Sequence, residues 1–148
     1  MQDPFDLQRF VTAQASTFET ALAELRAGRK QTHWMWFIFP QLRGLGQSPT
    51  AHLYGIASLD EARAYLNHPV LGPRIELATR AVLEVLGRSV QQVFGSPDHL
   101  KFHSSLTLFA LAASDATDPY RESLGRWFDG RMDEATLKLL SRPNAQIG

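Results

Sequence analysis

The first apolar positions of the chain, Leu7, Val11, Phe18, Leu22 and Leu25, recur at helical intervals and line one face of a path that ends at Gly28. Gln14 is the odd polar member of that face. A break is expected near Ala15, where Ser16 and Glu19 have the spacing of a capping box. Further along, proline follows a capping side chain at Ser48-Pro49, Ser96-Pro97 and Asp118-Pro119, the pattern of a helix whose first residue is proline; Gly72-Pro73 is a weaker instance. Ser58-Leu59-Asp60-Glu61 adds a second capping box. Between Pro73 and Leu86, Ile75, Ala78, Val82 and Val85 share one face, while Glu76, Arg80 and Glu84 form i,i+4 pairs on the other. Ser89 to Phe94 is expected to give one or two turns. Pro119 to Phe128 and Asp133 to Leu140 close the chain ahead of a polar tail at 141–148. Strand signals are nearly missing: no apolar/polar alternation runs over six positions, and no Asn-Gly or Asp-Gly pair marks a hairpin. The pattern predicts an all-α fold, a compact single-domain bundle of about seven to eight short helices with its core between about residues 5 and 140.

Composition narrows the setting more than the function. With 148 residues, 44% of them apolar, the chain is long enough to bury roughly two-thirds of its unfolded surface in one core. It has no cysteine, which removes disulfides, thiolate metal sites and thiol nucleophiles together and makes a cytoplasmic setting the expectation. The longest apolar run, Trp34 to Pro40, is far short of the roughly 20 residues that span a bilayer, so no membrane partner is expected. Fifteen basic side chains balance fifteen acidic ones, and a nucleic-acid polymer is therefore an improbable partner.

Two segments concentrate the chemistry. The first is His33-Trp34-Met35-Trp36-Phe37-Ile38-Phe39-Pro40-Gln41, too apolar for an open surface. It reads either as a buried short helix with its indole N–H groups bonded internally, or as the wall of an aromatic pocket whose polar rim includes His33 and Gln41. From Leu25 to Leu59 there is no acidic residue, whereas Arg26, Arg29, Lys30 and Arg43 are basic, which favours an anion there. The second segment is a nearly all-apolar helix in which Lys101, Ser104, Ser105 and Leu108 share a face and Thr107 adds a hydroxyl. Its lysine either snorkels to water, contacts an anion with hydroxyl help, or pairs with serine as a nucleophile. His99 and His103 have i,i+4 spacing, but no third ligand accompanies them, so neither a metal nor any other cofactor is expected. Gly44 and Gly46 lack the strand and lysine of a P-loop, leaving a plain turn or a backbone anion contact.

Phe10 with Ala13-Gln14, the block His33 to Gln41, Gly44 to Ser48, Tyr54, Ala64-Tyr65-Leu66, His68 to Gly72, and Lys101 with Ser104 to Phe109 follow one another in an order that resembles the bacterial DUF1810 family over about residues 5 to 140. Leu106 stands where methionine is usual, and Thr32 where serine is common. The resemblance implies a small, mainly α-helical domain of uncharacterised function and carries no catalytic residues. Some members bear the label calpastatin, which no repeat or acidic stretch in this sequence supports.

The polar motif residues Gln14, His33, Gln41, Tyr54, His68, Lys101, Ser104, Ser105 and Thr107 come from separate helices, more than a core built for stability alone prefers. They are expected to converge with Trp34 and Trp36 on one cleft for a small anionic, nucleotide-like ligand whose charge faces Arg74 or Lys101. Were the site a hydrolase, His33 or His68 would be the general acid-base. The alternative is a non-catalytic adaptor that presents the Trp-rich block to a partner protein.

Overall fold

In the computed structural model, which describes residues 2–114 and 118–142, Asp3 starts the first helix from outside it: its carboxylate accepts from Leu7 N–H at 2.8 Å and Gln8 N–H at 3.0 Å. These bonds, Gln8's first, hold the Asp3 carboxyl below its ordinary range. They supply the cap that α1 (Gln8–Gln14) otherwise lacks. The chain breaks after Ala15, where the sequence suggests, but the capping box does not form. Thr17 is the N-cap of α2 (Phe18–Arg26), and its hydroxyl donates back to Ala13 O instead. Short helices α3 (Met35–Ile38) and α4 (Pro49–Leu53) follow, then α5 (Leu59–Asn67), α6 (Leu71–Leu83) and α7 (Val90–Phe94). The long α8 (Asp98–Ala112) precedes α9 (Pro119–Phe128) and α10 (Glu134–Ser141). The described residues thus form ten helices rather than seven to eight, because three pieces of four or five residues count separately. No strand appears among them, only one parallel bridge between Leu42 and Ile56.

The capping arguments hold where a side chain precedes a helix. Ser48, Ser58, Asp118 and Asp133 each accept from the backbone N–H three residues on, and Ser89 with Gln92 forms a complete capping box, whereas the box expected at Ser58 is only half made, because Glu61 accepts from Ala57 N–H instead of Ser58 N–H. Two proline expectations shift. Pro97 is itself the N-cap of α8, its carbonyl accepting from Leu100 and Lys101, so Ser96 has no capping role. Gly72 and Pro73 lie inside the first turn of α6, where proline's missing N–H costs nothing. Gly72 is there for a steric reason: a methyl at that position would collide with the Leu66 carbonyl at the α5–α6 junction.

α8 is the axis of the bundle, packing on α5, α9, α7, α10 and α3, while α6 packs on α5, α2 and α9. Its apolar girth explains this position, since a helix apolar all round has no face to give to water. Around it Phe39, Phe94 and Phe102 interlock, with Phe94 stacked on Phe102 at 4.4 Å and Phe39 edge-on to Phe102 at 4.9 Å. No described helix is long and apolar enough to cross a membrane.

Candidate functional site

Trp36 on α3, Gln41 just beyond it, Tyr54 at the C-cap of α4 and Lys101 near the start of α8 line one hollow, together with Met35, Phe39, Ala51 and Gly55. Two arginines set its far wall. Arg43 donates to His52 O and Gly55 O, and Arg9 donates to Leu53 O and Gly55 O, so the strap from His52 to Gly55 is held from both sides. Gly55 admits no side chain, because a methyl would come within 2.8 Å of Arg43 Cα. The hollow itself is small, about 10 Å³, room for roughly one water. Among the described residues neither the Gln41 amide nor the Tyr54 hydroxyl, both lining the hollow, has a hydrogen-bond partner.

Two ammonium groups lie over two indoles, the Lys101–Trp36 pair in the wall of the hollow and the Lys30–Trp34 pair outside it. Lys101 Nζ is 4.9 Å from the Trp36 ring and Lys30 Nζ 5.0 Å from the Trp34 ring. One carboxylate joins them: Asp98 Oδ2 is 2.9 Å from Lys30 and Oδ1 3.5 Å from Lys101. Lys30 is 6% exposed, Lys101 29%. Trp34 is buried, and its indole N–H donates to Glu24 at 2.9 Å. Burial of the Glu24 carboxyl works to raise its pKa, but bonds from Gln31 N–H, the Thr32 hydroxyl, the Trp34 indole and Thr32 N–H outweigh burial and bring it down to about 2.

The other candidate residues do not meet here. Gln14 is buried and fully engaged elsewhere: its amide donates to Phe37 O at 2.7 Å and to the Tyr65 hydroxyl at 3.0 Å, and its oxygen accepts from Arg74 at 3.3 Å. That set ties α1, α5 and α6 together. Burial pushes the Tyr65 phenol far above its ordinary pKa, so it stays neutral. His68 is a cap: Nδ1 accepts from Val70 and Leu71 N–H at 3.1 and 3.2 Å, so that nitrogen carries no proton and the other does. His33 is exposed and lines no part of the hollow. Ser104 donates to Leu100 O and Asp133, and Thr107 donates to His103 O and accepts from Asp133 N–H, so both hydroxyls dock the start of α10. Ser105 is buried in the same helix. Within the Trp-rich block Trp34 and Phe39 are buried, and Trp36 and Phe37 half-buried.

His99 and His103 also have local partners, Gly95 O and Arg131 O, and His103 stacks on Phe128 at 3.9 Å. No group of three or more potential metal ligands occurs among the described residues. A larger groove, about 980 Å³, runs past α5, α6, the end of α8 and the start of α9. None of the candidate residues lines it. Its Arg80 is paired with Glu76 at 3.2 Å, and Asp118 Oδ2 in its wall, shut off from solvent and without a hydrogen bond, lies 3.8 Å from Arg121 Nε. Size favours the groove, whereas the convergence of Trp36, Gln41, Tyr54 and Lys101 belongs to the hollow.

Asp98 and Glu24 are the site residues that sequence reasoning missed. The Asp98–Lys101 spacing, i,i+3 at a helix start, was a readable signal; the Lys30–Asp98 contact had none. Among the curated proteins none matches this chain. The crystal structure of the conserved hypothetical protein Rv1873 from Mycobacterium tuberculosis is similar at 54% sequence identity and a TM-score of 0.91, the match covering 95% of this chain and 99% of that one. Residues 4–140 match the family described as a protein of unknown function, DUF1810, and the chain belongs to that family.

Proposed function

We propose that the protein binds a small anionic, nucleotide-like ligand at the hollow, with a flat ring against Trp36, hydrogen bonds from Gln41 and Tyr54, and the negative charge on Lys101. The observation that carries this reading is the convergence of those four side chains from separate elements on one concave wall. Room for one water means that the ligand seats only when Lys101 swings off Trp36, which turns the lysine toward the incoming anion and bares the indole face. Stacking on an aromatic ring contributes about 1–3 kcal/mol, and a charge-assisted hydrogen bond about 1.5–3 kcal/mol. The hollow is lined by no carboxylate or imidazole, so the reading is one of binding; His33 and His68, elsewhere in the fold, give hydrolysis no support. As part of the same proposal the protein is placed in the bacterial cytoplasm.

A thermal-shift screen of nucleotides and sugar phosphates, followed by calorimetry, tests it. A hit is expected to lose about tenfold to hundredfold in affinity in Lys101→Met and in Trp36→Ala. Lys101→Met should leave the melting temperature near that of the unmutated chain, since the lysine is partly exposed. A screen without hits, or hits that survive both substitutions, would overturn the reading.

A further inference from the structure

Among the described residues, Asp98 is the acidic group that touches the ammonium assigned to the ligand. We infer that Asp98 is a built-in counter-ion that competes with the ligand's anionic group for Lys101, so that exchange of anions at Lys101 opens the hollow; this rests on the binding reading above.

The two arms of the Asp98 bridge are unequal. Toward Lys30 the separation is 2.9 Å, and Lys30 is nearly buried, lies over Trp34 and also donates to Thr32 O, so it is pinned from three directions. Toward Lys101 the separation is 3.5 Å, beyond the roughly 2.7–2.9 Å of a good charge-assisted bond, and the lysine is partly exposed. The Lys101 arm is therefore the one that breaks. When it does, Asp98 stays neutralised by Lys30, and no buried charge is left alone. An incoming anion thus has only to outbid one long contact and one cation–π contact. A neutral aromatic molecule offers Lys101 nothing in exchange for Asp98, which restricts the ligand class to anions.

Phenyl phosphate, a flat ring carrying a phosphate, is the probe. By titration calorimetry Asp98→Asn is expected to bind it about tenfold more tightly than the unmutated chain, while Asp98→Glu, which restores the carboxylate, stays within about threefold. Trp36 fluorescence should change on binding, as Lys101 leaves the indole. If Asp98→Asn fails to fold because Lys30 loses its partner, Lys30→Met and Lys30→Met/Asp98→Asn replace it. With Lys30 gone, Asp98 turns wholly onto Lys101, so Lys30→Met should bind the probe more weakly than the unmutated chain and the double variant about tenfold more tightly than Lys30→Met. Unchanged or weaker binding on loss of the Asp98 charge, with phenyl phosphate still bound by the unmutated chain, overturns the counter-ion inference and leaves the binding site standing. No binding of phenyl phosphate by any of these proteins overturns both.

Discussion

Glu24 fixes the loop that leads into Trp34, accepting from two backbone N–H groups, one hydroxyl and one indole. All four bonds favour the ionised form, which is why its pKa falls from the ordinary 4.5 to about 2 despite burial. A group depressed in the folded state contributes stability that is fully present above its unfolded value and is lost as the pH falls through the folded one. Glu24→Gln keeps the shape but weakens several charge-assisted bonds, and should cost about 1–2 kcal/mol at pH 7. Urea melts between pH 7 and 2 should then show the unmutated chain and the variant drawing together from about pH 4.5 down to about 2. A gap that stays constant across that window would mean that Glu24 is not the charged anchor of the loop.

At the level of elements, local signals were legible and distant ones were not. Ser48, Ser58, Asp118 and Asp133 cap the helices they precede because a cap is a contact over three residues, and its chemistry is written within that span. Ser104 and Thr107 show the opposite case. Seen along α8 they are hydroxyls on a buried helix awaiting a ligand; in the fold Asp133, 29 residues on from Ser104, meets them. Asp133 both caps α10 and accepts from Ser104 and Thr136, so Asp133→Ala should cost about 2–3 kcal/mol in urea unfolding. Ser104→Ala removes one of these bonds and should cost about 1 kcal/mol. Hydrogen exchange should speed up first in α10. Because Asp133 lies outside the hollow, the Kd for any ligand of the Trp36–Lys101 site should not move; a loss of binding in Asp133→Ala would return the α8 hydroxyls to the site.

Over the whole molecule the contacts hardest to foresee are ionic ties between segments far apart in sequence, and Arg9 makes the largest set. It reaches from α1 to Leu53 O, Gly55 O and the Glu61 carboxylate, lies over Phe10, and also holds Phe5 O and Asp6 O. In the sequence it is one arginine on the polar side of a helix; nothing nearby announces that Glu61, 2% exposed, depends on it. Removing one partner of a buried pair leaves the other uncompensated, so Arg9→Met should cost about 3–5 kcal/mol. Glu61→Gln leaves Ala57 N–H an oxygen to donate to while removing the charge, so the double variant Arg9→Met/Glu61→Gln should recover much of that loss. A double-mutant cycle in urea should therefore be strongly non-additive, the pair costing less than the two single changes together. The same cycle bears on the site, because Arg9 is one of the two clamps on Gly55. Even where Glu61→Gln restores stability, the strap from His52 to Gly55 has lost half its support, and affinity at the hollow should stay below that of the unmutated chain. Additive costs would show that Arg9 acts through its carbonyl contacts alone, and full affinity in the double variant would show that Arg43 holds the wall by itself.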